Sequence, residues 1–300
     1  MIPVARVAIV GVGLMGGSLA RALAARGVHV SAFDHDVEQL NAARREGIVL
    51  ELLDPSLAGA NSADVVVLAL PVDAAVALLP RIGASLTAPR LIMDLCSTKR
   101  SVVAAAAVAG FGARFVGAHP LTGSHRSGWA ASHATLFEDA RVFLCPTEQT
   151  TVEALALAES FWRALHAGVE VIDATEHDVQ MAWRSHLPQV LSSALAVTLH
   201  RAGVRRSALG PGGRDMTRLA GGSPALWEGI ATDNAEALVN ALLAAEARLC
   251  DMRLAITDGD VTRTRAFFTE GREWFDGDPT TPSRPPAEPA STASSRARAL

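Results

Sequence analysis

Few backbone paths accommodate Gly11-Val12-Gly13-Leu14-Met15-Gly16 where it stands, between the continuous apolar run of residues 4–10 and a helix-like pattern over residues 14–26. A short unbroken apolar run reads as a parallel strand buried on both faces. Gly11 permits the tight turn, Gly13 leaves room for a pyrophosphate against the backbone, and Gly16 lets the helix lie close on the strand. Leu14 and Met15 open that helix, where unpaired N–H groups and the helix dipole favour an anion. The pattern predicts a dinucleotide site made by Gly11, Gly13, Leu14, Met15 and Gly16. Asp34 ends the next strand-like segment, residues 28–33. An acid there binds the ribose hydroxyl and repels a 2′-phosphate, which favours NAD over NADP. Asp34 could instead cap the following helix, but Asp36 directly precedes that helix and suits the task better.

Further strand-like runs follow at residues 64–70, 91–95, 115–118, 142–145 and 169–172, with Pro71 stopping the first of them. Helical stretches lie between, notably 37–46, 101–109 and 151–167, and Gly27 and Gly47 suit helix C-termini. Such alternation predicts an α/β fold with a doubly wound, Rossmann-type sheet. After Asp173 the period changes: residues 174–201, 224–256 and 261–275 read as helices with no strand between them. We therefore expect a dinucleotide-binding domain over 1–173 and an all-α substrate and dimerisation domain over 174–276. Residues 277–300, rich in Pro, Ser, Thr and Ala, are expected to be a disordered tail. The long Ala- and Leu-rich helices carry more apolar face than one short domain buries, so a homodimer is expected.

Composition narrows the partners. A formal net charge of -4 supplies no basic footprint for nucleic acid. No apolar run approaches the ~20 residues of a membrane helix. The opening Met1-Ile2-Pro3 lacks a charged segment ahead of a cleavage site, so a cytoplasmic protein is expected. Cys96, Cys145 and Cys250 are far apart, odd in number and without metal-ligand spacing, which predicts reduced core residues and no metal. Lys99 is the single lysine among 27 basic residues, as expected where arginine does not fit.

The chemistry-bearing residues cluster after strands. Asp94-Leu95-Cys96-Ser97-Thr98-Lys99 follows one strand, and Ser97 or Thr98 could cap the next helix. His119 follows the strand over 115–118, at the sheet edge where ligands bind and well placed to meet a nicotinamide; a structural loop histidine is the alternative. The loop beyond it, residues 121–128, is small and polar enough to fold over a substrate. Ser185-His186-Leu187-Pro188 interrupts an apolar helix, and Pro188 should kink it. His186 there either lines a cavity or is structurally buried. Arg214 and Arg218, between a glycine-rich turn and a helix, suit a carboxylate, or else form surface salt bridges.

Over residues 4–275 these segments together resemble the prephenate dehydrogenase family of tyrosine biosynthesis. The shared segments are GVGLMGGSLA, DLCSTK, GAHPLTGSHRSG, LFEDARVFLCP, EHD at 176–178, SHLP, and GGRDMTRLA followed by Trp227 and Asn234. The resemblance implies NAD-dependent oxidative decarboxylation of prephenate, by a Rossmann domain joined to a helical dimerisation domain. It implies that His119 accepts the hydrogen bond of the substrate's 4-hydroxyl, that Ser97 orients both, that Arg218 binds substrate carboxylate and that His186 lines the pocket. Lys99 receives no role.

Two positions depart from the family. His125 stands where many members carry an acid, and Gln189 follows SHLP where another histidine is frequent. The resemblance implies that the loop bearing His125 lies near the substrate side chain, where a histidine would welcome the ammonium of arogenate less than a carboxylate would, so prephenate is expected over arogenate. The short tail leaves no room for an amino-acid-sensing domain, so tyrosine inhibition through one is not expected. A lysine-dependent β-hydroxyacid dehydrogenase would need a lysine in the helical domain, where there is none. A non-catalytic NAD sensor would leave His119, Ser97 and Arg218 without purpose.

Overall fold

The computed structural model describes residues 2–123 and 126–277. By packing, the chain falls into two compact units, Met1–Leu242 and a second from Leu243 onward.

The first unit opens with strand β1 (Arg6–Val10), helix α1 (Leu14–Ala24), β2 (His29–Phe33), α2 (Val37–Arg45) and the short edge strand β3 (Glu51–Leu52). Then follow β4 (Val65–Leu68), α3 (Val72–Ile82), β5 (Leu91–Asp94), α4 (Arg100–Val108), β6 (Phe115–Pro120), β7 (Arg141–Pro146), α5 (Val152–Arg163) and β8 (Gly168–Val171). The sheet order is β3-β2-β1-β4-β5-β6-β7-β8. Every pairing is parallel except β6 with β7. The fold is thus the expected doubly wound α/β sheet followed by helices, with the strand order reversing between β1 and β4.

The apolar runs are buried on both faces. Val7 and Ile9 of β1 pack with α1 and α5 through Leu19, Leu23, Phe161 and Trp162. Ala8 and Val10 pack with α3 and α4 through Leu79 and Val102, and with Phe111 just beyond α4. Each such large side chain contributes roughly 1.5–3 kcal/mol on burial. Helix ends follow their local chemistry. Asp36 caps α2 by accepting from the amides of Glu38 and Gln39, and Gly27 and Gly47 take positive φ of 77° and 71° beyond α1 and α2.

Three features differ from the sequence expectation. Where a parallel sheet would call for a crossover helix, the described residues between 121 and 140 contain only a 3-10 turn (Trp129–Ala131). Strand β7 therefore returns antiparallel to β6, and that pairing extends β6 through His119, opposite Phe143. The stretch 174–201 is helical throughout but divides into α6 (Ala174–Met181), a π turn (Ala182–His186) and α7 (Leu187–Arg201). The expected kink appears as that π turn, because Pro188 has no N–H to give the preceding turn. Two further helices, α8 (Pro211–Met216) and α9 (Pro224–Asp233), precede α10 (Ala235–Thr257), so the expected single helix over 224–256 breaks at Asn234. Asn234 leaves helical geometry at φ -103° and ψ 32°, and its buried side chain bonds elsewhere, as described below.

The second unit is helical, formed by the remainder of α10 and by α11 (Val261–Asp276). Cys250, expected in a core, is exposed on α10, whereas Cys96 and Cys145 are buried; all three are free thiols. No helix among the described residues is long and apolar enough to cross a membrane. The tail expectation falls almost wholly on residues 278–300, outside the described residues.

Candidate active site

The site forms along the C-terminal ends of the central strands. Gly11 has φ 94°, and a Cβ there would stand 2.4 Å from the carbonyl oxygen of Ala69 at the end of β4. At Gly16 a Cβ would stand 1.9 Å from the carbonyl oxygen of Gly11, so only glycine lets α1 lie this close to the turn. Gly13 is different: no heavy atom lies within 4 Å of the place its Cβ would take. It opens α1 with no side-chain cap, and the first turn carries no acid. The amides that begin at Leu14 and Met15 therefore face an open cradle suited to an anion. Asp34 is buried at the end of β2; its Oδ2 accepts from the amide of Val12 at 2.6 Å and its Oδ1 from the amide of Asp36 at 2.8 Å. One carboxylate thus ties the glycine turn to the β2–α2 turn, while Asp36, not Asp34, caps the helix.

The second half of the site sits on β5 and β6. Ser97 is half-buried after β5, and among the described residues its hydroxyl makes no hydrogen bond. Neither Ser97 nor Thr98 caps α4. A residue distant in sequence does so: the Asp178 carboxylate of α6 accepts from the amides of Lys99 at 2.8 Å and Arg100 at 2.9 Å. The Lys99 side chain is fully buried, paired with Asp94, and donates to the carbonyl of Ala118 at 3.0 Å. Burial opposes the Lys99 charge, but the Asp94 carboxylate outweighs it and holds the ammonium above the ordinary lysine pKa. Gly117 makes the space, since a Cβ there would meet Lys99 Cδ at 3.2 Å.

His119, half-buried on β6, has its Nδ1 2.9 Å from Nε2 of His177. His177 in turn has its Nδ1 2.8 Å from Oδ1 of Asp178. Burial lowers the pKa of His119 well below the ordinary histidine value, aided by repulsion from neighbouring His177, Lys99 and His186. Burial also lowers His177. Burial by itself would raise Asp178, but its bonds from His177 and the amides of Arg100 and Lys99 hold it below the ordinary carboxylate value. His186, in the π turn, is buried; its Nδ1 lies 3.2 Å from Nδ2 of Asn234, its ring meets the edge of Trp227, and burial lowers its pKa to about 4. The same Asn234 amide donates to the backbone carbonyl of Asp178 at 2.7 Å. These bonds draw Asn234 out of the helix line.

Asp178 thus links the segment that carries Ser97 to His119 through His177, and to His186 through Asn234; in the sequence it stands out only as part of EHD. Arg218 does not join them by any bond: it is exposed, and among the described residues its guanidinium has no partner. Its turn is held from beneath, because Gln189 donates to the carbonyl of Leu219 at 2.8 Å. Arg214 folds back onto the carbonyl of Leu209 at 2.7 Å. His125 lies outside the described residues. His177, Asp178, Asn234 and the Asp94–Lys99 pair were given no role from sequence. Only the adjacency of His177 and Asp178, and the solitary lysine, signalled them.

Comparison with known proteins agrees with this architecture. The family model described as prephenate dehydrogenase, nucleotide-binding domain, matches residues 19–171, and that described as prephenate dehydrogenase, dimerization domain, matches residues 173–270. Prephenate dehydrogenase of Bacillus subtilis (strain 168) is 30% identical over 280 residues, covering 90% of this chain and 75% of that protein. Cyclohexadienyl dehydrogenase of Zymomonas mobilis is 32% identical over 275 residues, covering 89% and 94%. The structure of Aquifex aeolicus prephenate dehydrogenase with hydroxyphenyl propionate and NAD+ superposes with a TM-score of 0.82 at 28% identity, over 91% of this chain and 98% of that one. Synechocystis arogenate dehydrogenase superposes with a TM-score of 0.77 at 26% identity, over 91% and 99%.

Proposed function

The chain belongs to the prephenate dehydrogenase family, and on that premise we propose that it oxidises and decarboxylates prephenate to 4-hydroxyphenylpyruvate with NAD, in tyrosine biosynthesis. The observation that carries the reading is His119: an imidazole on the strand edge, kept neutral by burial and backed by His177.

The residues at the glycine turn fit NAD. The open cradle at Gly13 and the uncapped start of α1 suit its pyrophosphate, and the Asp34 carboxylate disfavours a 2′-phosphate. Bound there, NAD supplies a hydride acceptor. His119 takes the 4-hydroxyl proton as that carbon becomes a carbonyl. The ring carboxylate then leaves as carbon dioxide, its bonding electrons aromatise the ring, and the proton held by His119 returns to the phenolic oxygen. No proton is gained or lost overall. The free Ser97 hydroxyl on the neighbouring strand end is available to the same 4-hydroxyl. Arg218, without an internal ion pair, is available to a substrate carboxylate. His186 supports the wall of the pocket. In this reading residues 1–173 hold the cofactor, and residues 174–276 complete the substrate site and join two copies into a homodimer.

Arogenate is the second reading, favoured by the likeness to the Synechocystis enzyme. His125, at a position where the family resemblance implies an acid in many members, speaks for prephenate, whose side chain bears a keto group rather than an ammonium.

The test is NADH formation with prephenate and then arogenate, for the wild type and His119→Asn. Prephenate-dependent NADH that falls by ~10²–10⁴ in the variant, with unchanged thermal stability, is the expected result. Turnover of arogenate alone would keep the mechanism and change the substrate. Turnover of neither would overturn the assignment.

A further inference from the structure

We propose that His177 and Asp178 are a positioning pair that holds His119 in the one tautomer able to accept a proton from bound substrate. The inference rests on His119 being the base, and it adds which nitrogen acts and what decides it.

The assignment follows from counting donors. Asp178 is an acceptor: its two oxygens take the amide protons of Lys99 and Arg100. Oδ1 also lies 2.8 Å from His177 Nδ1, so that nitrogen must carry the proton. A neutral His177 protonated at Nδ1 has a bare Nε2. That bare nitrogen lies 2.9 Å from His119 Nδ1, which must therefore be the donor. A neutral His119 protonated at Nδ1 presents a bare Nε2, and this is the nitrogen left to meet the substrate hydroxyl.

The opposite arrangement would need a cationic His177 donating from both nitrogens. Every element packed around His177 bears on that. Strand β7 brings the ring of Phe143 against it, with centroids 5.4 Å apart. The start of α4 brings the Lys99 ammonium, which repels a second cation; β5 brings Asp94, already paired with Lys99; β6 brings His119 itself. His177 is fully buried. An imidazolium there would lose its hydration and gain only a carboxylate already shared with two amides.

Neither His177 nor Asp178 has surface with which to reach a ligand, so they act through His119. The rings of His119 and His177 meet edge-on at 73°, which fixes the orientation of the base as well as its proton. Asp178 has a second task. By capping α4 it holds the junction that carries Ser97, so one carboxylate registers both groups proposed to meet the 4-hydroxyl.

The test uses the full-length protein with nitrogen-15-labelled histidine. Long-range nitrogen–proton spectra of the substrate-free enzyme report the tautomer, and His119→Asn assigns the His119 signals. His177→Phe keeps a ring but removes the acceptor. His177→Gln can offer a carbonyl oxygen to His119 and an amide to Asp178. The wild type is expected to show His119 protonated at Nδ1. His177→Phe is expected to lose that preference and at least ~10²-fold in kcat, with KM moved less than about threefold. His177→Gln is expected to restore the tautomer and roughly tenfold or more of kcat over His177→Phe. A wild-type His119 protonated at Nε2, or a His177→Phe variant with kcat within about threefold of wild type, overturns the inference. Should His177→Phe not fold, the wild-type spectrum and His177→Gln still decide. The spectrum is read without substrate, so a failure to oxidise prephenate or arogenate counts against the proposed function and leaves the tautomer result standing.

Discussion

At the residue scale, the solitary lysine shows how chemistry can override a compositional habit. Arginine serves as the cation at every other basic position, yet Lys99 sits fully buried in a slot opened by Gly117. A compact ammonium fits there and reaches both Asp94 and the Ala118 carbonyl; a planar guanidinium is too wide for that slot. One Asp94 oxygen, Oδ1, is buried with no partner among the described residues, so the carboxylate depends on what its Oδ2 accepts from Lys99 and from the amide of Cys96. Lys99→Met should therefore strand a buried carboxylate and cost ~3–5 kcal/mol, read as a lower urea midpoint. A loss under ~1 kcal/mol would mean that the pair is not needed for stability. Lys99→Arg should not recover the loss, because it restores charge but not shape.

At the element scale, the helical run α6–π turn–α7 matters because it carries uncharged histidines into the protein interior. His186 has a folded pKa of about 4, below the ordinary value of 6.5. Burial shifts His177 and, on β6, His119 in the same direction. The sign follows: between the two values the unfolded chain binds more protons than the folded one. For His186 the stability is then complete above pH 6.5 and declines as pH falls toward 4, by about 1.4 kcal/mol per pH unit, and His177 and His119 act in the same direction. Thermal unfolding at neutral pH and near pH 5 should show this slope, and His186→Asn should reduce it. An equal slope in that variant would place the acid sensitivity elsewhere. The same run shows what periodicity cannot report. A helix-like pattern spans residues 174–201, and Pro188 within it announces a distortion. That the distortion is a π turn pointing His186 at Asn234 depends on a partner 48 residues away.

At the scale of the whole molecule, the second unit carries large apolar side chains in the open. On α10 these include Leu243, Leu249 and Ile256; on α11 they include Val261, Phe268 and Trp274, the last 80% exposed. Single exposed hydrophobics are ordinary, but so many on two helices mark a surface meant to be covered. With a dimerization-domain match over residues 173–270, the occupant we propose is a second copy. Light scattering should give twice the 31.3 kDa chain mass, and Phe268→Glu combined with Trp274→Glu should move the protein toward monomer. A wild type that stays monomeric at micromolar concentration would sink the homodimer.

What the sequence determined by itself is whatever depends on near neighbours. The glycine turn, the buried strands, the Asp36 cap and the helix-ending glycines follow from local sterics and short-range periodicity, which is why β1, α1, β2 and α2 were legible within a residue or two. The positions of Ser97 and His119 at strand ends were legible for the same reason. Tertiary structure alone decided the reversal of β7, the break at Asn234, and above all the convergence of Asp178 on His177, His119 and the start of α4. The bonds of Asp178 to the start of α4 and to Asn234, and of His177 to His119, join residues 56 to 79 positions apart. Their hydrogen bonds exist only after the sheet has brought β5, β6 and α6 together, so no local pattern in the chain could carry them.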